Sequence, residues 1–157
     1  MISIGTYVFA EHPAWEYIVN CSNLTSLGSN SFGIRAGSRV RQLYTPKVTE
    51  GAQNSYYSNN VYYRGSYSGM NIDIIYLRDM EVLRPGSFCN TTCDSLVINN
   101  ITPPRWELYS NPSSESDNMN TFASSNITNI YVPDSAVSTY TSDSHWSTLA
   151  SKIKPLS

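Results

Sequence analysis

The chain has 157 residues, a mass of 17.5 kDa and a formal net charge of −2, enough for one domain with a sizeable core. Only 14% of its residues are charged, whereas 25 Ser, 15 Asn and 12 Thr fill a third of it, and a hydrophobic content of 40% argues against disorder. Ten Lys/Arg against twelve Asp/Glu disfavour a nucleic-acid binder held by phosphate contacts, and no apolar run approaches the roughly 18 residues that a membrane span needs.

In chain order, five short runs of β-branched and aromatic residues read as strands. They are Tyr17-Ile18-Val19, Val40 to Tyr44, Ile72 to Leu77, Leu96-Val97-Ile98 and Ile130-Tyr131-Val132, each bounded by polar, turn-rich sequence. A second series interleaves with them: an aliphatic residue, then an aromatic five positions later. It runs from Ile4 to Phe9, Leu27 to Phe32 and Leu83 to Phe88, with Tyr56 and Phe122 as degenerate copies. Two intervals between successive aromatics match, and two are longer, as for a repeated unit with two insertions. One strand per unit, in a unit too short for a βαβ crossover, predicts a mainly β repeat solenoid with one short strand per coil. Its aliphatic and aromatic residues would share one core, with Phe9, Phe32 and Phe88 in register. An evenly spaced β-sandwich is the alternative, opposed by the repeating chemistry and by the shortness of the runs.

Pro133 to Leu156 reads as a helical cap over the end of the stack. Asp134 is placed to cap a helix from Ser135, with Val137 and Tyr140 on one face. After Asp143 or Ser144 the apolar residues Trp146, Leu149, Ala150 and Ile153 fall at helical spacing until Pro155 stops the run. The expected organisation is a repeat region over 1–132, with insertions near 56–71 and 105–118, and a cap over 133–157 within the same domain.

These residues resemble the BspA-like leucine-rich repeat proteins. The resemblance rests on Ile4-Gly5 to Phe9 and Leu27-Gly28 to Phe32. It rests also on Leu96-Val97-Ile98 through Pro103-Pro104, Ile130 to Pro133, Tyr140, Trp146 and Lys152 to Pro155. It implies a leucine-rich-repeat solenoid without shared catalytic residues, of a kind found on bacterial surfaces and in bacteriophage particles. The chain departs from that pattern at 56–71 and 105–118. It also begins inside a repeat, which implies that another virion or surface-protein subunit covers an uncapped first coil.

Little points to catalysis, and the expectation is a protein that is not an enzyme and has no cofactor or metal. His145 has Ser144 adjacent and Asp143 two residues before it, but a triad must converge in space rather than in sequence. The carboxylates are scattered, and none forms a marked glycosidase pair, which leaves a glycan-active enzyme as the weakest alternative. Cys21, Cys89 and Cys93 are odd in number and read as buried thiols, with a Cys89–Cys93 bridge as the competing reading. Five Asn-x-Ser/Thr sequences, at Asn20, Asn23, Asn90, Asn100 and Asn126, read as turn chemistry.

The candidate binding residues lie in the two insertions. Tyr57, Tyr62, Tyr63, Arg64 and Tyr67 are interleaved with Ser, Asn and Gly, which is the composition of a tyrosine-rich paratope. Trp106 and Tyr109 mark the second insertion. The expected function is a non-catalytic module presenting polar-aromatic loops to a protein or glycan on a cell surface. Its expected setting is a bacteriophage virion, as a tail, fibre or head-decorating component. The opening Met1 to Trp15 has no secretory pattern, and virion proteins need none because they leave by lysis. A C-terminal fragment of a bacterial cell-surface adhesin is the alternative.

Overall fold

The computed structural model describes residues 3–4, 18–24, 26–27, 39–45, 67, 69–83, 86–107, 121–122 and 125–157. Ten strands occur among them: β1 (Ser3–Ile4), β2 (Ile18–Asn20), β3 (Ser26–Leu27), β4 (Arg39–Tyr44), β5 (Asn71–Leu77), β6 (Val82–Leu83), β7 (Thr92–Ile98), β8 (Arg105–Trp106), β9 (Asn126–Pro133) and β10 (Ile153–Leu156). Six of them form one parallel sheet in the order β10-β9-β7-β5-β4-β2, and β1–β3 and β6–β8 form two small parallel pairs.

One face of the sheet is a set of aliphatic rows. Cross-strand register aligns Val40, Ile72, Cys93 and Ile127, and a second row of Leu43, Ile75, Leu96, Ile130 and Ile153. All nine are buried. The third row pairs Leu77 with Ile98, flanked by buried Thr45 and Val132. Buried positions in these strands therefore fall at i, i+3 and i+5 instead of strict alternation, with Val97 of β7 buried in addition. One extra residue stands at the same level in each of four strands (Arg41, Asp73, Asp94 and Thr128) and is skipped by the pairing register. Because all four strands carry it, none slips against its neighbour.

Aromatic rings close the other side of the core. Tyr67 stacks on Phe88 at 4.9 Å between ring centroids, and Phe88 stacks on Phe122 at 5.6 Å. Each of the three precedes a sheet strand at one constant offset, before Asn71, Thr92 and Asn126. The ring beside Phe88 is thus Tyr67, where the sequence reading had placed Tyr56; Tyr56 itself, Phe9 and Phe32 lie outside the described residues. Between ring and strand the chain makes a left-handed turn, at Gly69 (φ 74°) before β5 and at Asn90 (φ 55°) before β7. That conformation is tolerated by glycine and asparagine, so Asn90 does the turn work expected of it.

The fold class corrects the expectation of a mainly β leucine-rich-repeat solenoid. The described residues form a mixed α/β arrangement: a parallel sheet, two small strand pairs and short helical segments at the C-terminal end. The sheet strands start at Ile18, Arg39, Asn71, Thr92, Asn126 and Ile153, so the connections differ in length and no uniform coil repeats. The aromatic spacing misled because it was anchored at Tyr56. Anchored at Tyr67, it follows the strands, not a fixed unit.

The C-terminal segment also differs from the helical cap expected over 133–157. Asp134–Ala136 is a 3-10 turn without a side-chain cap, Val137–Ser142 is a short α-helix (α1), and Trp146–Lys152 is again 3-10. Ile153, expected to end a helical stripe, instead begins β10 and pairs with Ile130. The open edge of β9 offers backbone partners that a last helical turn would lack, and β-branched Ile153 suits an extended backbone. The capping expected of Asp134 is absent; Asp143 caps the following segment, its Oδ1 accepting from the backbone N–H of His145 at 2.9 Å and of Trp146 at 3.0 Å. Trp146 and Tyr140 are fully buried and anchor the segment to the preceding chain. The Trp146 indole donates to the Pro104 carbonyl at 2.8 Å, and the Tyr140 hydroxyl donates to the Asn100 carbonyl at 2.9 Å.

Candidate binding surface

Residues that alternate with the buried rows stand on the opposite face of the sheet. Register aligns Asn20, Tyr44, Tyr76, Val97, Tyr131 and Lys154 across all six strands. The adjacent row is Ile18, Gln42, Ile74, Ser95 and Asn129. Beyond it come the extra residues Arg41, Asp73, Asp94 and Thr128, then Arg39, Asn71, Thr92 and Asn126, most of them exposed. This face carries tyrosines among polar residues, with Val97 buried between Tyr76 and Tyr131 and Ile18 at the margin 61% exposed.

The tyrosines belong to the structure of this face. Tyr44 and Tyr76 stack with centroids 4.5 Å apart and planes 7° apart, about the strand spacing of a sheet. Partial burial raises the Tyr76 phenol above its ordinary value, and the charge and hydrogen bond of neighbouring Tyr44 raise it further. The Tyr44 hydroxyl lies 3.4 Å from Gln42 Oε1. Across the next rows, Arg39 makes a two-point ion pair with Asp73, at 2.8 and 3.0 Å. Lys154 Nζ donates to Asn129 Oδ1 at 2.6 Å. Asp73 and Asp94 share one level of adjacent strands on an open surface. They do not face each other across a cleft as a glycosidase pair does.

The sequence-derived candidates fare differently. Tyr67 is 2% exposed and Trp106 6% exposed, so both rings belong to the core and neither is available to a partner. Tyr67 fills the ring stack, and Trp106 meets Phe122 and Trp146 edge-on. Tyr57, Tyr62, Tyr63, Arg64 and Tyr109 lie outside the described residues. Sequence reasoning passed over Tyr44, Tyr76 and Tyr131, although a signal was present: each ends or nearly ends a β-branched run.

The Asp143 carboxylate is committed to backbone N–H groups, while the His145 ring stacks on Trp106 at 5.7 Å. Ser144 Oγ lies 3.3 Å from His145 Nδ1, but with Asp143 turned to the backbone the three do not form a relay. No disulfide joins Cys89 to Cys93. Burial pushes the Cys21 thiol up to about 11 and the Cys93 thiol up to about 12. Both stay protonated and unreactive at neutral pH. Among the described residues no three His, Cys, Asp or Glu side chains gather into a metal-binding group. No helix among them is long and apolar enough to cross a membrane. Compared with protein-family models and with curated proteins, the chain matches none.

Proposed function

We propose that the protein is a non-catalytic binding module that engages a protein surface through the tyrosine-bearing face of its sheet. The observation that carries this reading is the stacked Tyr44–Tyr76 pair, with Tyr131 in the same row. The Tyr44 and Tyr76 rings each cover one face of the other, and Asn20 and Val97 flank the pair in the same row. Gln42, Ser95 and Asn129 in the adjoining row add amide and hydroxyl groups. Tyrosine edges among adaptable hydrogen-bonding groups are the chemistry of protein recognition. Stacking on a sugar ring would need a free aromatic face. The Ser-, Asn- and Thr-rich, charge-poor composition supports a setting outside the cell, with a virion component as the first reading and a cell-surface adhesin as the second.

The test compares the native chain with a Tyr76→Ala/Tyr131→Ala variant on intact bacterial cells pretreated with protease or with periodate. Binding that survives periodate, is abolished by protease and is lost in the variant is the expected result. Binding destroyed by periodate alone would replace the protein partner with a glycan, and equal binding by the two chains would discard this face.

A further inference from the structure

The charges on the outward face are arranged about one strand. Strand β5 has β4 on one side and β7 on the other. At the level of the extra residue these three strands carry Arg41, Asp73 and Asp94 side by side. Asp73 is taken up within the chain by its two-point pair with Arg39. Arg41 and Asp94 are both exposed, and among the described residues neither side chain has an ion-pair or hydrogen-bond partner. Adjacent strands lie about 4.8 Å apart, so the two charges stand at matching distances on opposite sides of β5. They are equal, opposite and symmetrically placed.

That arrangement is self-complementary. In an isologous contact residue i of one copy meets residue j of the other, and j meets i. A second copy laid face to face on the first, with the two-fold axis along β5, brings every β4 position over the β7 position of the same level. Arg41 then meets Asp94 of the second copy, and Asp94 meets its Arg41, which makes two ion pairs. Gln42 meets Ser95, an amide opposite a hydroxyl, and Tyr44 meets Val97. Ile74 and Tyr76, half-buried in one copy, meet their own equivalents at the axis. Such a contact has an aliphatic and aromatic centre with charge toward its margin, the ordinary anatomy of a protein interface. Asp73 also meets its equivalent, but each brings its own Arg39.

We propose that the protein surface engaged by the tyrosine-bearing face is a second copy of this chain, docked about a two-fold axis along β5 and held in register by reciprocal Arg41–Asp94 pairs. This rests on the function proposed above, of which it names the partner. Strand spacing and rise make the six-stranded face about 25 Å wide and about 20 Å long, roughly 500 Å² a copy. That is below the ~800 Å² a partner of a standard interface, so the association is weak. Its exposed ion pairs make it weaker still in salt.

The experiment is sedimentation equilibrium of the full chain from about 10 μM to about 1 mM, the range in which a weak dimer forms. The native mass should climb from 17.5 kDa toward twice that value, and a monomer throughout would overturn the proposal. Arg41→Asp and Asp94→Arg each set like charges opposite one another, and each alone should weaken association by about tenfold or more. An equimolar mixture of the two variants restores both pairs, because one copy then carries two acids and the other two bases. It should associate as the native chain does. Single variants that associate like the native chain, or a mixture that stays monomeric, would refute the pairing. The Tyr76→Ala/Tyr131→Ala variant, which should also weaken the dimer, separates this inference from the reading beneath it. A monomeric native chain whose cell binding is lost in that variant sinks the second copy and leaves the face. A dimer undiminished by the tyrosine and charge changes, with cell binding unchanged as well, sinks both.

Discussion

The two faces of the sheet are built from the same strands and obey different rules. In β7, buried Leu96 adjoins half-exposed Ser95; in β5, buried Ile75 adjoins half-exposed Ile74 and Tyr76. Inward rows are aliphatic and interchangeable from strand to strand, because the requirement there is volume at close packing. Outward rows mix amide, hydroxyl, phenol and charge, and their order is irregular: Tyr, Tyr, Val and Tyr run side by side from β4 to β9. The first face carries the main aliphatic core; the second is mostly half-exposed or exposed, with Val97 as its buried member beside the Tyr44–Tyr76 stack.

Substitutions can break that division. The largest effect is expected from Phe88→Ala, which removes a buried ring stacked between Tyr67 and Phe122. It should cost about 3–5 kcal/mol in denaturant unfolding, and a cost below about 1 kcal/mol would mean that the ring stack is not part of the core. A pH titration sharpens the same contrast. The Cys93 thiol is raised from 9.0 to about 12 inside the aliphatic face. An unfolded thiol therefore ionises before the folded one, and the stability held below pH 9 drains away between 9 and about 12. A Cys93→Ala variant should lose less stability over that alkaline range than the native chain; parallel curves would show that Cys93 is exposed. The smallest effect is expected on the outer face. Arg39→Ala breaks the ion pair with Asp73, in which the arginine side chain is 60% exposed. It should change stability by less than about 1 kcal/mol, and less still at high salt.

The sequence marked strands by their β-branched residues, and those marks were sound where the residues face the core. Val40 to Tyr44 and Ile72 to Leu77 fall inside β4 and β5. In β7 only Leu96-Val97-Ile98 was legible, because Thr92 to Ser95 are mostly polar on account of the open face and the extra residue at Asp94. The α-helical stripe read at Trp146 to Ile153 is not formed: the segment is 3-10 with only Trp146 buried in it, and pairing with β9 draws Ile153 into a strand. The surface proposed for binding was the least legible part. Tyrosines clustered along the chain, as at 56–67, draw the eye, whereas Tyr44, Tyr76 and Tyr131 are neighbours only once strands far apart in sequence lie side by side. Composition alone could not separate a tyrosine that meets solvent from one like Tyr67 that fills the core.

The shared extra residue keeps the strands aligned whatever happens between them. From Tyr44 to Asn71 the chain takes a long route, and from Leu77 to Thr92 a short one, yet both deliver the next strand to the same register. Alignment written into the strands relieves the connections of any duty to measure length. Doubling a flexible connection costs only about 0.6 kcal/mol in closure entropy. A scaffold of this kind can lengthen, shorten or exchange its loops over generations while its frame stands unaltered.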